Sequence, residues 1–338
     1  ASLHEHCMRA FRRAAQRGAH GLCLMGGGDW NDGMNRVGAR GVGESVWLTE
    51  FWVACAEKYM EVCPEAADRA WLEAQRGDFA AALEKNAWDG QWYLRAYADG
   101  GECLGSADSP CCRIDLVSQA WAVLAGLDKA RCRSAIDAAW DQLVDEKLGL
   151  IRLLTPPFTG EGFDPGYIAA YPAGIRENGA QYTHGACWML CALARLGDAP
   201  RAHAALRMLL PVDHSDSRAA ADIYRVEPYV MAADVYTDSL HPGRGGWTWY
   251  TGSAAWMQLA LYEILGLEKR GSCVKMNALL DKWPFARVRM RCGAAVYTLE
   301  TRQEAERITL DGVPVEGDHI EMIDDGREHL AVFPPRRK

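Results

Sequence analysis

The sequence has no run of about 18 apolar residues, so no segment reads as a membrane-spanning helix. It has no excess of basic charge either, since 37 Lys and Arg stand against 45 Asp and Glu for a formal charge of −8. A general nucleic-acid binder needs a basic stripe to displace counterions from phosphates, and none is present. The nine His show no HExxH or comparable spacing, and no Walker or dinucleotide fingerprint occurs. Neither a metal nor a nucleotide cofactor is therefore expected. Paired CxxC spacings are missing as well. The 12 Cys are scattered through apolar helical text such as Cys187 to Cys191, which reads as reduced thiols in a cytosolic setting. No basic region followed by an apolar one opens the chain, so no secretory signal is read. It starts Ala1-Ser-Leu-His, lacks an initial Met and runs at once into helical text, as a piece of a longer protein would.

Tryptophan, in contrast, is abundant. Thirteen Trp in 338 residues is well above ordinary usage, and sugar-binding clefts commonly use such rings. The length allows one large domain and a small one. From residue 3 to about 266, amphipathic helical stretches at roughly 44–62, 66–85, 115–125, 129–146, 183–196, 199–210 and 251–265 alternate with Gly- and Trp-rich loops. Strand-like alternation is nearly absent there, which points to a helical bundle, solenoid or toroid. After about residue 270 the period becomes two, with Asp311-Gly312 and Asp325-Gly326 as hairpin-type turn signals. The expected division is a helical domain over 1–270 and a small antiparallel β subdomain over 271–338.

Helical hairpins need only short turns, so the long aromatic and acidic loops are candidates for binding. In Asp29-Trp-Asn-Asp32, two carboxylates flank an indole and an amide directly after three glycines that let backbone approach a ligand. A carboxyl packed on Trp30 suits a general acid, because desolvation disfavours its charged form. A capped helix start explains the same residues. Arg176-Glu-Asn-Gly-Ala-Gln-Tyr-Thr-His184 offers Glu177 and Gln181 for sugar hydroxyls and His184 for an anion. The run Trp247 to Ser253 opens a helix whose unpaired amides favour an anion, with hydroxyls from Thr251 and Ser253 to complete a phosphate cradle. A plain N-cap there uses the same donors.

Three segments resemble, in order and spacing, the inverting glycoside phosphorylases of glycoside hydrolase family ninety-four: GGGDWNDGMN at 26–35, YPAGIRENGAQYTH at 171–184 and GRGGWTWYTGSAAWM at 243–257. Flanking text is most like the C-terminal domain of cyclic β-1,2-glucan synthases and the β-1,2-oligoglucan phosphorylases, through Arg36-Val-Gly38, Gly43 to Leu48, Leu154 to Phe158, Asp164 to Tyr167 and Val226 to Val230. The resemblance implies a mainly α fold, an (α/α)6 barrel or toroid incomplete at its N-terminal side. It implies Asp32 as the general acid, Trp30 at the donor sugar, and Tyr171, Arg176 and Glu177 near the sugars. Asp29 and Gln181 join that sugar-binding set. Phosphate falls to His184 and Thr251-Gly252.

A phosphorylase uses phosphate as nucleophile and needs one catalytic carboxylate, whereas an inverting hydrolase needs a second, about 6.5–9.5 Å away, for which Glu177 is the candidate. The expected partners are a β-glucan or oligosaccharide and inorganic phosphate as co-substrate, with no cofactor and no membrane contact by this segment. A homodimer or an N-terminal segment completes the barrel. The expected location is cytoplasmic, alone or within an inner-membrane protein. A glucan-binding fragment without turnover is the non-enzymatic alternative.

Overall fold

The structure is a computed structural model that describes residues 1–160, 163–248 and 251–336, the side chain of Thr251 excepted. Its helices are α1 (Leu3–Ala14), α2 (Val46–Met60), α3 (Ala66–Asn86), α4 (Leu116–Leu124), α5 (Lys129–Leu143), α6 (Thr183–Arg195), α7 (Ala199–Leu209), α8 (Arg218–Tyr224) and α9 (Thr251–Leu265). Side-chain caps start several of them: Ser45 Oγ accepts from Leu48 N, Asp115 from Val117 N, Asp128 from Arg131 N and Asp198 from Arg201 N. Each such cap satisfies an N–H that the helix itself cannot.

The helices form two layers. In succession α2, α4, α6 and α9 pack side by side, while α3 backs α2, α5 backs α4 and α7 backs α6. This is a helical array of the toroid type. The inner helices meet through Trp47, Phe51, Trp121, Trp188 and Trp256, whose ring centroids lie 5.1 to 6.1 Å apart. Trp188 at the centre is 2% exposed, and truncating such a ring to Ala costs about 3–5 kcal/mol. Eleven of the 13 Trp lie in this helical core or pack against it, so the abundance of Trp reflects packing as well as any binding role.

Three inner helices are each entered by a two-residue strand. Glu44–Ser45 leads into α2, Ile114–Asp115 into α4 and Gln181–Tyr182 into α6. Each pairs with a distant loop: Glu44–Ser45 with Cys23–Leu24 and Ala96–Tyr97, Ile114–Asp115 with Leu154–Thr155, and Gln181–Tyr182 with Asp234–Val235. These ladders fasten the long loops at one end of the array, over the first turns of the inner helices.

The C-terminal strands begin at Glu268–Arg270, three residues ahead of the boundary read from the sequence. Phe285–Cys292 and Ala295–Arg302 form an antiparallel hairpin. The sheet is not purely antiparallel, however, because Ala295–Arg302 runs parallel to its other neighbour, Glu328–Phe333. The turn at Asp311-Gly312 joins adjacent strands as expected, since Leu310 pairs with Val313. The strand preceding Asp325-Gly326, Ile320–Glu321, instead pairs with Cys273–Lys275 in a second sheet. Glu328–Phe333 is thereby free to insert beside Ala295–Arg302. This region has its own core around Tyr297, Leu299 and Phe333. None of the described helices is long and apolar enough to cross a membrane, and all 12 Cys are free thiols.

Candidate active site

The loop 26–35 is built from the inside. Asp29 turns its carboxylate inward, where it has no exposure and meets the fully buried guanidinium of Arg95 in a two-pronged pair, Nη1 to Oδ2 at 2.6 Å and Nη2 to Oδ1 at 2.8 Å. Ser45 Oγ donates to Asp29 Oδ2 at 2.6 Å and Asn31 N donates to Oδ1 at 2.9 Å. Arg95 Nε lies 3.2 Å from Asp115 Oδ2. One ion cluster thus ties this loop to the residues capping α2 and α4. Burial opposes ionisation of Asp29, and Arg95, Ser45 and the Asn31 N–H overcome it, holding the carboxyl below its usual range. Burial wins at Asp115, raised to about 6, and at Glu50, raised well above its usual value.

Asp32 faces the other way. It opens a single 3-10 turn, Asp32–Met34, capped by Asn31 Oδ1 accepting from Gly33 N, and is exposed to solvent. Of the three preceding glycines, Gly26 (φ 61°) and Gly28 (φ 126°) take backbone conformations that favour glycine, and a Cβ on Gly28 would also lie 3.1 Å from Asp32 Cα. Gly26 and Gly27 have open space where a Cβ would stand.

Between the two carboxylates, Trp30 packs its half-buried ring against Tyr182 (5.5 Å), His184 (5.4 Å) and Trp188 (5.0 Å). Its indole N–H donates to His184 Nδ1 at 3.3 Å. An indole nitrogen can only donate, so Nδ1 accepts and the neutral ring carries its hydrogen on Nε2. Burial lowers His184 to about 4, which keeps the imidazole neutral near pH 7. The residue stands in the first turn of α6, beside α9, with Trp256 6.0 Å away. Cys187 Sγ contacts Ser253 O at 3.8 Å, so the first turns of α6 and α9 are neighbours. Gly252 is the second residue of α9. The Thr251 side chain and all of Trp249 and Tyr250 lie outside the described residues.

A second polar cluster lies on the loop 171–179. Buried Asn178 shapes it by donating to Tyr171 O and Phe158 O while accepting from Phe158 N. Arg176 adopts a left-handed φ of 55° and donates its N–H to Asp234 Oδ2 at 2.9 Å. Its guanidinium lies over Trp247 at 4.4 Å and Tyr171 at 5.8 Å, with Nε 3.8 Å from Glu177 Oε2. Burial raises buried Asp234 to about 6, opposed by Arg176 and reinforced by Glu177.

Trp30 and His184 are thus brought together, with Asp32 exposed two residues beyond Trp30, and Tyr171, Arg176 and Glu177 form a second cluster. Two members of the expected sugar-binding set turn inward. Asp29 is consumed by Arg95. Gln181 is 1% exposed, and its Oε1 accepts from Ile151 N at 2.8 Å, a bond that fixes a strand turn. Arg95, Asp115 and Ser45 were not read as site residues at all. The signal for Arg95 was a lone cation in the alternating apolar text Tyr93-Leu-Arg-Ala-Tyr-Ala98, which places a charge where burial demands a partner.

A two-layered helical array whose rim gathers one exposed carboxylate, an indole and a neutral imidazole has the layout of a carbohydrate-active catalytic domain. The chain belongs to the glycosyl hydrolase 94 superfamily, whose catalytic domain it matches over residues 1–266. It is 44% identical over 311 residues to the cyclic β-(1,2)-glucan synthase NdvB of Rhizobium meliloti, covering 90% of this chain and 11% of that protein. It is 30% identical over 343 residues to the solabiose phosphorylase of Paenibacillus borealis, covering 97% of this chain and 44% of that protein. The chain therefore spans less than half the length of these relatives. The crystal structure of a GH78-family rhamnosidase from Bacillus sp. GL1 shares its fold at TM-score 0.55 and 11% identity, covering 99% of this chain and 32% of that one.

Proposed function

We propose that this chain is the catalytic part of an inverting glycoside phosphorylase that cleaves β-glucosides with inorganic phosphate to give α-glucose 1-phosphate, and that also runs the reverse glucosyl transfer. Similarity to the glucan synthase favours β-1,2-linked glucan or oligoglucan as the substrate. The observation that carries the reading is the division of labour within one loop: Asp29 is spent on Arg95, which leaves Asp32 as the exposed carboxylate there. One acid suffices when phosphate is the nucleophile.

In this reading phosphate rests between the His184 Nε2–H and the first turn of α9, where Thr251 and Gly252 lie, and attacks the anomeric carbon from the α face. The C1–O bond to the leaving sugar breaks while Asp32 gives its proton to the departing oxygen, directly or through a sugar hydroxyl. Trp30 lines the donor sugar, and Tyr171, Arg176 and Glu177 contact the sugars from the loop 171–179. Neutral His184 donates a hydrogen bond without adding charge. We read residues 1–270 as part of an (α/α)6 barrel. Four inner helices occur among the described residues, so a ring of six takes two more from elsewhere in the protein or from a second copy.

The test is release of glucose 1-phosphate from β-1,2-glucooligosaccharides, with and without phosphate, with cellobiose run in parallel. Phosphate-dependent release supports the proposal. Glucose release without phosphate contradicts it and favours a hydrolase with Glu177 as base.

A further inference from the structure

Tyr167 is a residue the reading above does not use. It lies on the loop Asp164-Pro-Gly-Tyr-Ile168, which the fold clamps directly onto the loop carrying Asp32. Arg36 N donates to Pro165 O at 3.1 Å, Tyr167 N donates to Asn35 Oδ1 at 3.2 Å, and the Arg36 guanidinium pairs with the Asp164 carboxylate. The contact is too close for a side chain at its centre: a Cβ on Gly166 (φ 122°) would lie 2.7 Å from Gly33 O and 2.8 Å from Asn35 N. A Cβ on Gly33 would likewise come within 3.0 Å of Ile168 Cβ. Two 3-10 turns, Asp32–Met34 and Tyr167–Ala170, are therefore held against each other as one body.

This clamp brings the turn that opens with Tyr167 against the turn that opens with Asp32, and Tyr167 remains 44% exposed. Its ring meets Tyr171 at 6.3 Å, and Tyr171 lies under Arg176. Besides Asp32, the titratable groups that act on the phenol include Tyr171 and Glu177. Burial first, then the nearby Asp32, push its ionisation up to about 12, so at neutral pH the phenol keeps its proton and can donate.

We propose that Tyr167 is the positioning residue of the acid: its O–H donates to the oxygen of Asp32 that does not carry the transferred proton, fixing that carboxyl and stabilising its charge as the proton departs. The phenol keeps its own proton throughout. The only proton that moves goes from Asp32 to the leaving glycosidic oxygen, as C1 changes its bond from that oxygen to a phosphate oxygen. In the reverse direction the same bond steadies the carboxylate that takes the acceptor's proton. This inference rests on Asp32 being the acid.

Tyr167→Phe keeps the ring and removes only the donor, so it separates this role from a platform for sugar stacking. In the full-length protein, kcat for phosphorolysis falls about 10-fold or more, the scale of a lost aid to proton transfer. The KM values for phosphate and glucan stay within about two-fold, as expected for an interaction made mainly in the transition state. The alkaline limb of the kcat/KM profile moves to higher pH, because the carboxylate left by deprotonation has lost a donor. An unchanged kcat and profile, or a rise in KM alone, overturns the proposal. Asp32→Asn is assayed alongside: if it stays active, the acid assignment itself fails. If it is inactive while Tyr167→Phe matches wild type, only the present inference fails. A readout independent of turnover is the 13Cζ resonance of Tyr167 in tyrosine-labelled protein, assigned by its loss in Tyr167→Phe. It shifts in Asp32→Asn if the two side chains touch, and a resonance that does not move contradicts the contact.

Discussion

The loop 26–35 and the entry to α6 repeat one contrast. In the loop, Asp29 and Asp32 are three residues apart, yet Asp29 is sealed against Arg95 and Asp32 is exposed. At the entry to α6, Gln181 and His184 are three residues apart, yet Gln181 braces Ile151 inside the protein while His184 meets Trp30. Polar residues that look equivalent in the sequence divide into one that builds the site and one that occupies it. The builder in each pair is the residue sealed from solvent.

Breaking the first builder has the largest expected effect on folding. Asp29→Ala leaves Arg95 buried with half its charge partners gone, and a broken buried pair costs about 3–5 kcal/mol. Chemical denaturation reads this loss, and a cost under 1 kcal/mol would mean that the cluster does not hold the loop. Gln181→Ala removes the acceptor of the buried Ile151 N–H and costs about 1–3 kcal/mol. If instead it raises the KM for glucan with stability unchanged, Gln181 belongs with the occupants.

His184 sharpens the contrast through pH. Its folded ionisation is lowered to about 4, whereas an unfolded His titrates near 6.5. Between those values the unfolded chain binds more protons, so stability falls as pH drops from about 6.5 toward 4 and is unaffected by this group above that window. The slope due to one proton is at most about 1.4 kcal/mol per pH unit. Stability measured across pH 4–7 in wild type and His184→Gln should differ by a slope of that sign, and identical slopes would mean that the imidazole is not desolvated.

Much of the helical scaffold was legible because its period is long. The apolar spacing between 129 and 146 anticipates α5 at Lys129–Leu143, and that between 183 and 196 anticipates α6 at Thr183–Arg195. The two-residue strands before α2, α4 and α6 were not legible, because two residues carry no periodicity and their partners lie far along the chain. The parallel neighbour in the C-terminal sheet was missed for a related reason: turn signals report hairpins and say nothing of a strand that returns from a distance. In the loops 26–35 and 171–184, motif text could not say which way each side chain points. That depends on Arg95, some 66 positions from Asp29, and for Tyr167 on a loop 132 positions from Asn35.

The most direct test of this division is glucose 1-phosphate release by Asp32→Asn and Asp29→Asn, compared at equal concentrations of folded protein in the full-length chain. The account predicts that Asp32→Asn loses activity by about 10²- to 10⁴-fold with its thermal midpoint unchanged, while Asp29→Asn loses stability and retains turnover in the fraction that remains folded. A stable, inactive Asp29→Asn beside an active Asp32→Asn would contradict it, because the acid would then be the buried carboxylate.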